Sequence, residues 1–223
     1  MSFWNIALVD SSASMTSNQD SVNKGIIDLF NDQHDNTDRF TFITFNTVVK
    51  NIADANFNEI KCEDIINSIL NVGLTALYDA IGHVYKMIIA ENFKNVSLTI
   101  ITDGYENSSK IHTLVSLKTL RETIDEMCNL NVSFICENEH DLKNNTAIIS
   151  HANESHNTSG DYVEAFRNVS RSMSYARPPS VNQIYSIGNE NENENEIENE
   201  SMSEPIVKRQ QSYAEKKRPR LFF

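Results

Sequence analysis

Long apolar runs are missing from this chain of 223 residues. No window approaches the roughly 18 consecutive apolar residues of a membrane-crossing helix. A surplus of positive charge is missing too: 19 Lys and Arg stand against 31 Asp and Glu, a net charge of −12. A phosphate backbone needs the opposite balance, which argues against nucleic-acid binding by the folded part. Cysteine is scarce. Cys62, Cys128 and Cys136 are odd in number and lack CxxC spacing, so they read as reduced thiols that fill the core of a cytosolic or nuclear protein. With only six glycines, no glycine-rich phosphate loop is present. The opening MSFWNIALVDSS has no basic segment, and Asp10 interrupts its short apolar run, so no secretory signal is expected. Triplets such as Asn95–Ser97 and Asn131–Ser133 are then a by-product of high Asn content rather than glycosylation sites. What is there is ordinary soluble material, 39% hydrophobic and 22% charged, enough for one core plus a tail.

Charge locates the boundary. Residues 1–188 hold 13 bases and 23 acids, residues 189–200 read NENENENEIENE, and residues 201–223 hold six bases and two acids. The Asn/Glu run cannot bury enough apolar surface to offset the entropy of ordering. Pro178-Pro179 is a natural stop after a last helical stretch. The expected division is a folded domain at 1–177, a linker and acidic disordered segment at 178–200, and a basic disordered tail at 201–223.

Within the domain, Phe3 to Val9 reads as a strand buried on both faces, with Trp4 packed against a helix. Val22, Ile26, Ile27, Leu29 and Phe30 recur at helical spacing behind a cap at Ser17. Arg39 to Phe45 alternates and turns at Asn46-Thr47 into a second strand, Val48 to Ala53. Ile60 to Leu70 is a short helix, and Leu77, Ile81, Val84, Tyr85, Ile88 and Ile89 form the stripe of a longer one. Val96 to Ile101 is a buried strand. Leu114, Leu117, Ile124 and Met127 mark a helix, and Val132 to Cys136 a further strand. The polar stretch 137–160 is weakly patterned, and Tyr162 to Met173 reads as a closing helix. Strands alternating with helices predict an α/β fold: a doubly wound, mostly parallel sheet with helices on both faces and one antiparallel edge strand. Function in such sheets gathers beyond the carboxyl ends of the strands.

Three oxygen-rich segments fall there. Asp10-Ser11-Ser12-Ala13-Ser14 has the form D-x-S-x-S, Gly73 to Ala80 reads GLTALYDA, and Thr102-Asp103-Gly104 follows the central strand. Asp10, Ser12, Ser14, Thr75 and Asp103 supply hard oxygen donors with no His or Cys adjacent, a set suited to Mg²⁺, Mn²⁺ or Ca²⁺ rather than zinc or copper. Each segment alone is also what an ordinary loop contains, with Ser17 or Thr75 capping a helix and Asp103-Gly104 turning the chain. All three in this order at the strand ends are much harder to obtain by accident.

On these three motifs the chain resembles the von Willebrand factor type A domains over about residues 3–177. In that family the segments form a metal-ion-dependent adhesion site. The resemblance implies that Asp10, Ser12, Ser14, Thr75 and Asp103 are the metal-binding residues, with Ser12 and Ser14 direct and the two carboxylates partly acting through water. A cation held by hydroxyls and two carboxylates is under-neutralised, so an Asp or Glu of a protein partner can complete its shell. The expected function is therefore a metal-dependent protein-binding module inside the cell, not an enzyme. One alternative is a Mg²⁺-dependent phosphatase-like hydrolase. It meets Ser12 where a general acid is needed, and no motif links any of the six histidines to Ser12 or Ser14. The other is a metal-free scaffold whose tail does the recognition. There Lys216, Lys217, Arg218 and Arg220 form a compact basic cluster, readable as a nuclear import signal on an otherwise cytoplasmic protein.

Overall fold

The computed structural model describes residues 3–36, 38–103, 105–136, 154–157 and 162–175. Most of the stretch 137–160 and the whole tail, with its acidic run and its basic cluster at 216–220, lie outside the described residues. Six strands form one sheet: β1 (Trp4–Asp10), β2 (Arg39–Phe45), β3 (Val49–Asn56), β4 (Asn95–Ile101), β5 (Asn129–Cys136) and β6 (Glu154–Asn157). Helices α1 (Gln19–Asp32), α2 (Cys62–Ser68), α3 (Leu77–Glu91), α4 (Leu114–Met127) and α5 (Tyr162–Tyr175) alternate with them.

The strand order is β3-β2-β1-β4-β5-β6. β1 pairs in parallel with both β2 and β4, and β5 pairs in parallel with β4 and β6, while β3 runs antiparallel to β2 at the edge. The expected doubly wound sheet with one antiparallel edge strand is what forms. The chain leaves β1 toward β2 on one side and returns to β4 on the other, so the order reverses between β1 and β4.

Alternation along β1 explains the two cores. Trp4, Ile6 and Leu8 pack with α3 and α4, whereas Ala7 and Val9 face α1, α2 and α5. All seven β1 residues are buried, which is why the segment reads as a continuous apolar run rather than an alternating one. Helix α1 lies close against α5 because Gly25 has no side chain: a Cβ there would sit 2.2 Å from the Phe166 ring. Among the described residues no helix is long and apolar enough to cross a membrane.

Several local expectations need correction. Ser17 does not cap α1: the chain first winds through a 3₁₀ turn, Ala13–Asn18, and the Ser17 hydroxyl donates back to the Ser14 carbonyl at 3.3 Å. Ile27 is on the outer face of α1, 43% exposed. Cys136 is buried, but Cys62 and Cys128 are only half-buried. Trp4, by contrast, is fully buried against α3 as expected, and its ring also lies beside Phe93, just beyond the end of that helix, with centroids 5.2 Å apart.

Candidate functional site

Asp10 closes β1 at the reversal point and is 1% exposed. Its Oδ1 accepts the Ser12 backbone N–H at 2.7 Å, and its Oδ2 accepts the Thr102 hydroxyl at 2.5 Å. One carboxylate thus folds the loop after β1 and ties it to the end of β4. Burial pushes the Asp10 carboxyl above the ordinary range, and the hydrogen bonds from Thr102 and Ser12 oppose that only in part. Ser11 locks the same turn to β2, its N–H and hydroxyl both donating to the Phe45 carbonyl, at 2.7 and 3.1 Å.

From this anchor the hydroxyls run outward. Ser12 Oγ and Ser14 Oγ lie 3.1 Å apart, and Ser14 Oγ donates to Asp103 Oδ1 at 2.8 Å. Ser12 is buried, Ser14 exposed and Asp103 half-buried, so the donors run from the buried carboxyl end of β1 out to the surface. Four of the five residues read from sequence are joined by direct hydrogen bonds.

The fifth, Thr75, reaches the same rim through its backbone. Val72 N–H donates to the Ser11 carbonyl at 2.9 Å and Ala13 N–H to the Gly73 carbonyl at 3.2 Å, laying this loop against the first. Gly73 adopts φ +78°, where a Cβ would also come 2.7 Å from Thr47 Oγ1, so the turn requires glycine. Thr75 N–H donates to Asn107 Oδ1 at 2.9 Å, and its carbonyl accepts Asn107 N–H at 3.0 Å and Ser108 N–H at 3.2 Å. The Thr75 hydroxyl, 2% exposed as a residue, makes no hydrogen bond among the described residues.

Sequence reasoning missed what holds the third loop. Helix α3 is preceded by Ala76, which has no capping side chain. Glu106 caps it from another segment: Tyr78 N–H donates to Glu106 Oε2 at 2.8 Å, while Ser108 and Ser109 N–H donate to Oε1 at 2.9 and 2.7 Å. Ser109 Oγ donates to Glu106 Oε2 at 2.6 Å and accepts Asp79 N–H at 3.0 Å. Asp79 answers by accepting the N–H groups of Lys110, Ile111 and His112 at 2.8, 2.9 and 2.7 Å. Burial alone would raise the Asp79 carboxyl, but these three donors outweigh it and hold it below the usual range. Two carboxylates thus sit at the positive end of α3 and fix the segment that carries Asp103. The only advance signal was Asp79 in the first turn of a helix.

Among the described residues no three His, Cys, Asp or Glu side chains gather as a metal cluster. The gathered donors are instead two carboxylates and serine hydroxyls. Their spacing fits a small hard ion. An octahedron with Mg–O of about 2.1 Å has neighbouring oxygens about 3 Å apart, close to the contacts along Ser12, Ser14 and Asp103.

A family model for the von Willebrand factor type A domain matches residues 6–172. No curated protein matches the chain in sequence. Among solved structures, a von Willebrand factor type A protein from Catenulispora acidiphila is similar at TM-score 0.53 and 14% identity, over 76% of this chain and 42% of that one. The PilB minor pilin from Streptococcus sanguinis is similar at TM-score 0.57 and 13% identity, over 80% of this chain and 64% of that one. The vWF domain of the pili tip protein Mfa5 from Porphyromonas gingivalis gives TM-score 0.63 at 8% identity, over 81% of this chain and 98% of that domain. The first two are longer proteins of which this chain spans less than two thirds. At such identities the likeness is one of fold. Domains of this type generally act as interaction modules. The doubly wound order and the family match cover the same stretch, and the chain belongs to the von Willebrand factor type A domain family.

Proposed function

We propose that the rim between β1 and β4 is a divalent-cation site of the metal-ion-dependent adhesion type, through which the domain captures an Asp or Glu of a protein partner. The observation that carries this reading is the hydrogen-bonded chain in which Asp10 holds the Ser12 backbone N–H and the Ser12 and Ser14 hydroxyls continue to Asp103. Ser12, Ser14 and Asp103 would hold the ion, with the Thr75 hydroxyl added from the neighbouring loop. Asp10, whose two oxygens are both engaged, orients Ser12 and Thr102. Mg²⁺ suits the set best, with Mn²⁺ or Ca²⁺ as substitutes. When bound, the ion supplies a partly neutralised positive centre that a partner carboxylate can ligate.

Binding rather than catalysis is the better reading of the same atoms. A serine nucleophile needs a positioned base, usually histidine. Ser12 and Ser14 bond instead to each other and to Asp103, and no histidine among the described residues bonds to either hydroxyl. We place the activity inside the cell, in keeping with the cysteine usage, with the basic cluster at Lys216, Lys217, Arg218 and Arg220 as a separate handle for localisation.

The test is a Mn²⁺ titration of the full chain followed by electron paramagnetic resonance. One Mn²⁺ should bind per chain, the stoichiometry should fall to zero in Asp103→Ala, and Mg²⁺ should compete. Full retention of the free-ion signal up to millimolar protein would contradict the reading.

A further inference from the structure

The three loops of the rim are not held alike. Asp10 and Ser11 fix the first, through the Ser12 N–H, the Thr102 hydroxyl and the Phe45 carbonyl. Glu106 and Asp79 fix the loop after β4 by fastening residues 106–112 to the start of α3. The loop before α3 brings one side-chain oxygen to the site, the Thr75 hydroxyl, which makes no hydrogen bond among the described residues. Threonine is β-branched and stiff at χ1, so that oxygen goes where the Thr75 backbone puts it.

The Thr75 backbone is gripped on both sides by one residue. Asn107 Oδ1 accepts the Thr75 N–H at 2.9 Å, and the Asn107 N–H donates to the Thr75 carbonyl at 3.0 Å. Ser108 N–H adds a second donor to that carbonyl at 3.2 Å, and the following Ala76 N–H donates to the Asn46 carbonyl at 2.9 Å. Among the described residues Asn107 is thus the one side chain hydrogen-bonded to Thr75. Asn107 is itself exposed, while Thr75 is 2% exposed. A surface residue in the loop that follows Asp103 therefore spends its amide on a buried peptide of the neighbouring donor loop, and the two loops are bolted together at that point.

This bolt bears on which ion fits. Mg²⁺ demands near-ideal octahedral geometry at about 2.1 Å, whereas Ca²⁺ accepts six to eight oxygens at about 2.3–2.6 Å in flexible arrangements. A fastened set of donors favours the smaller ion, and a donor set free to shift loses that preference first. We propose that Asn107 is a positioning residue that determines ion specificity: by holding Thr75 against the Asp103 loop it sets the preference of the site for Mg²⁺ over Ca²⁺. The inference rests on the cation reading above and adds to it the residue that selects the ion. A residue that merely stapled the two loops for stability would weaken every ion alike when removed, so the ratio of affinities is the quantity that tests the role.

The experiment displaces Mn²⁺ from the full chain with Mg²⁺ and with Ca²⁺ in separate titrations read by electron paramagnetic resonance. In wild type Mg²⁺ should displace Mn²⁺ at lower concentration than Ca²⁺. Asn107→Ala should weaken Mg²⁺ by roughly tenfold, the scale of a lost outer partner of a metal ligand, and Ca²⁺ by much less. Asn107→Asp keeps an acceptor for the Thr75 N–H, and its added charge acts on both ions alike, so it should restore the wild-type ratio. A readout without metal accompanies these: in EDTA the Thr75 amide should exchange its hydrogen faster in Asn107→Ala and at the wild-type rate in Asn107→Asp. Thermal unfolding in EDTA checks that the variants remain folded. An Asn107→Ala variant with an unchanged ratio, or a changed ratio with unchanged Thr75 exchange, would overturn the role of Asn107 and leave the cation reading intact. No Mn²⁺ bound by wild type would overturn the cation reading and the ion preference with it.

Discussion

The two ends of the sheet treat a carboxylate in opposite ways. At the foot, where the parallel strands begin, Arg39 lies 4.4 Å over the Trp4 ring and reaches Asp54 at 2.7 Å and Glu91 at 2.9 Å. The Arg39 guanidinium holds the Asp54 carboxyl below its usual range, against the opposing effect of burial. At the rim Asp10 is more deeply buried, and its described partners are the Ser12 N–H and the Thr102 hydroxyl. Burial there pushes the carboxyl upward. The foot carries its own cation within the chain and is complete. On the reading proposed above, the rim gathers oxygens that a cation from solution would complete, so that one end would serve stability and the other binding.

Removing the foot's cation should have the largest effect on stability. Arg39→Met leaves Asp54 and Glu91 without their partner and strips one face of Trp4. We expect a loss of about 2 kcal/mol, or about 4–8 °C in Tm, measured by thermal unfolding. The pH dependence has a definite sign. Because the folded Asp54 carboxyl is depressed, its contribution is present above about pH 3.9 and is lost as pH falls through the folded value. Arg39→Met should therefore blunt acid denaturation, and a variant as acid-sensitive as wild type would break the contrast.

Glu106→Ala comes next. It removes the cap that α3 receives from outside its own sequence, at a cost of about 1 kcal/mol in urea unfolding. It should also loosen the Asp103 loop and weaken Mn²⁺ binding. Glu106→Gln, which keeps one acceptor oxygen, should fall in between.

Asp10→Asn sharpens the contrast most finely. A carboxyl raised by folding contributes most below its unfolded value of about 3.9, and that contribution is lost as pH rises through the folded value. At pH 7 without metal the buried charge opposes folding. In EDTA, Asp10→Asn should then match wild type or exceed it by up to about 1 kcal/mol in urea unfolding at pH 7. The difference should vanish near pH 3. A variant markedly less stable at pH 7 would mean that the rim is as self-sufficient as the foot.

The sheet was legible because its central strands are buried on both faces: β1 and β4 announce themselves as short apolar runs, and β2 with β3 as an alternating hairpin. The oxygens of the site were legible for a related reason, since each motif directly follows a strand or precedes the long helix. What supports them was not. Glu106 caps a helix that begins 29 residues earlier, and nothing local to Ala76 or Leu77 signals that a distant carboxylate will arrive. Ser17 misled for the opposite reason. A good capping residue sat where the chain was already winding into a 3₁₀ turn, with its backbone committed.

The cation at the rim is the central claim, and thermal unfolding of the full chain with and without Mg²⁺ tests it most directly. If the ion binds at about 1 mM, then about 10 mM should add roughly 1.4 kcal/mol, a rise of about 3–5 °C. The account predicts that rise in wild type and none in Asp10→Ala or Asp103→Ala. An unchanged Tm in wild type, or the same rise in both variants, would contradict it.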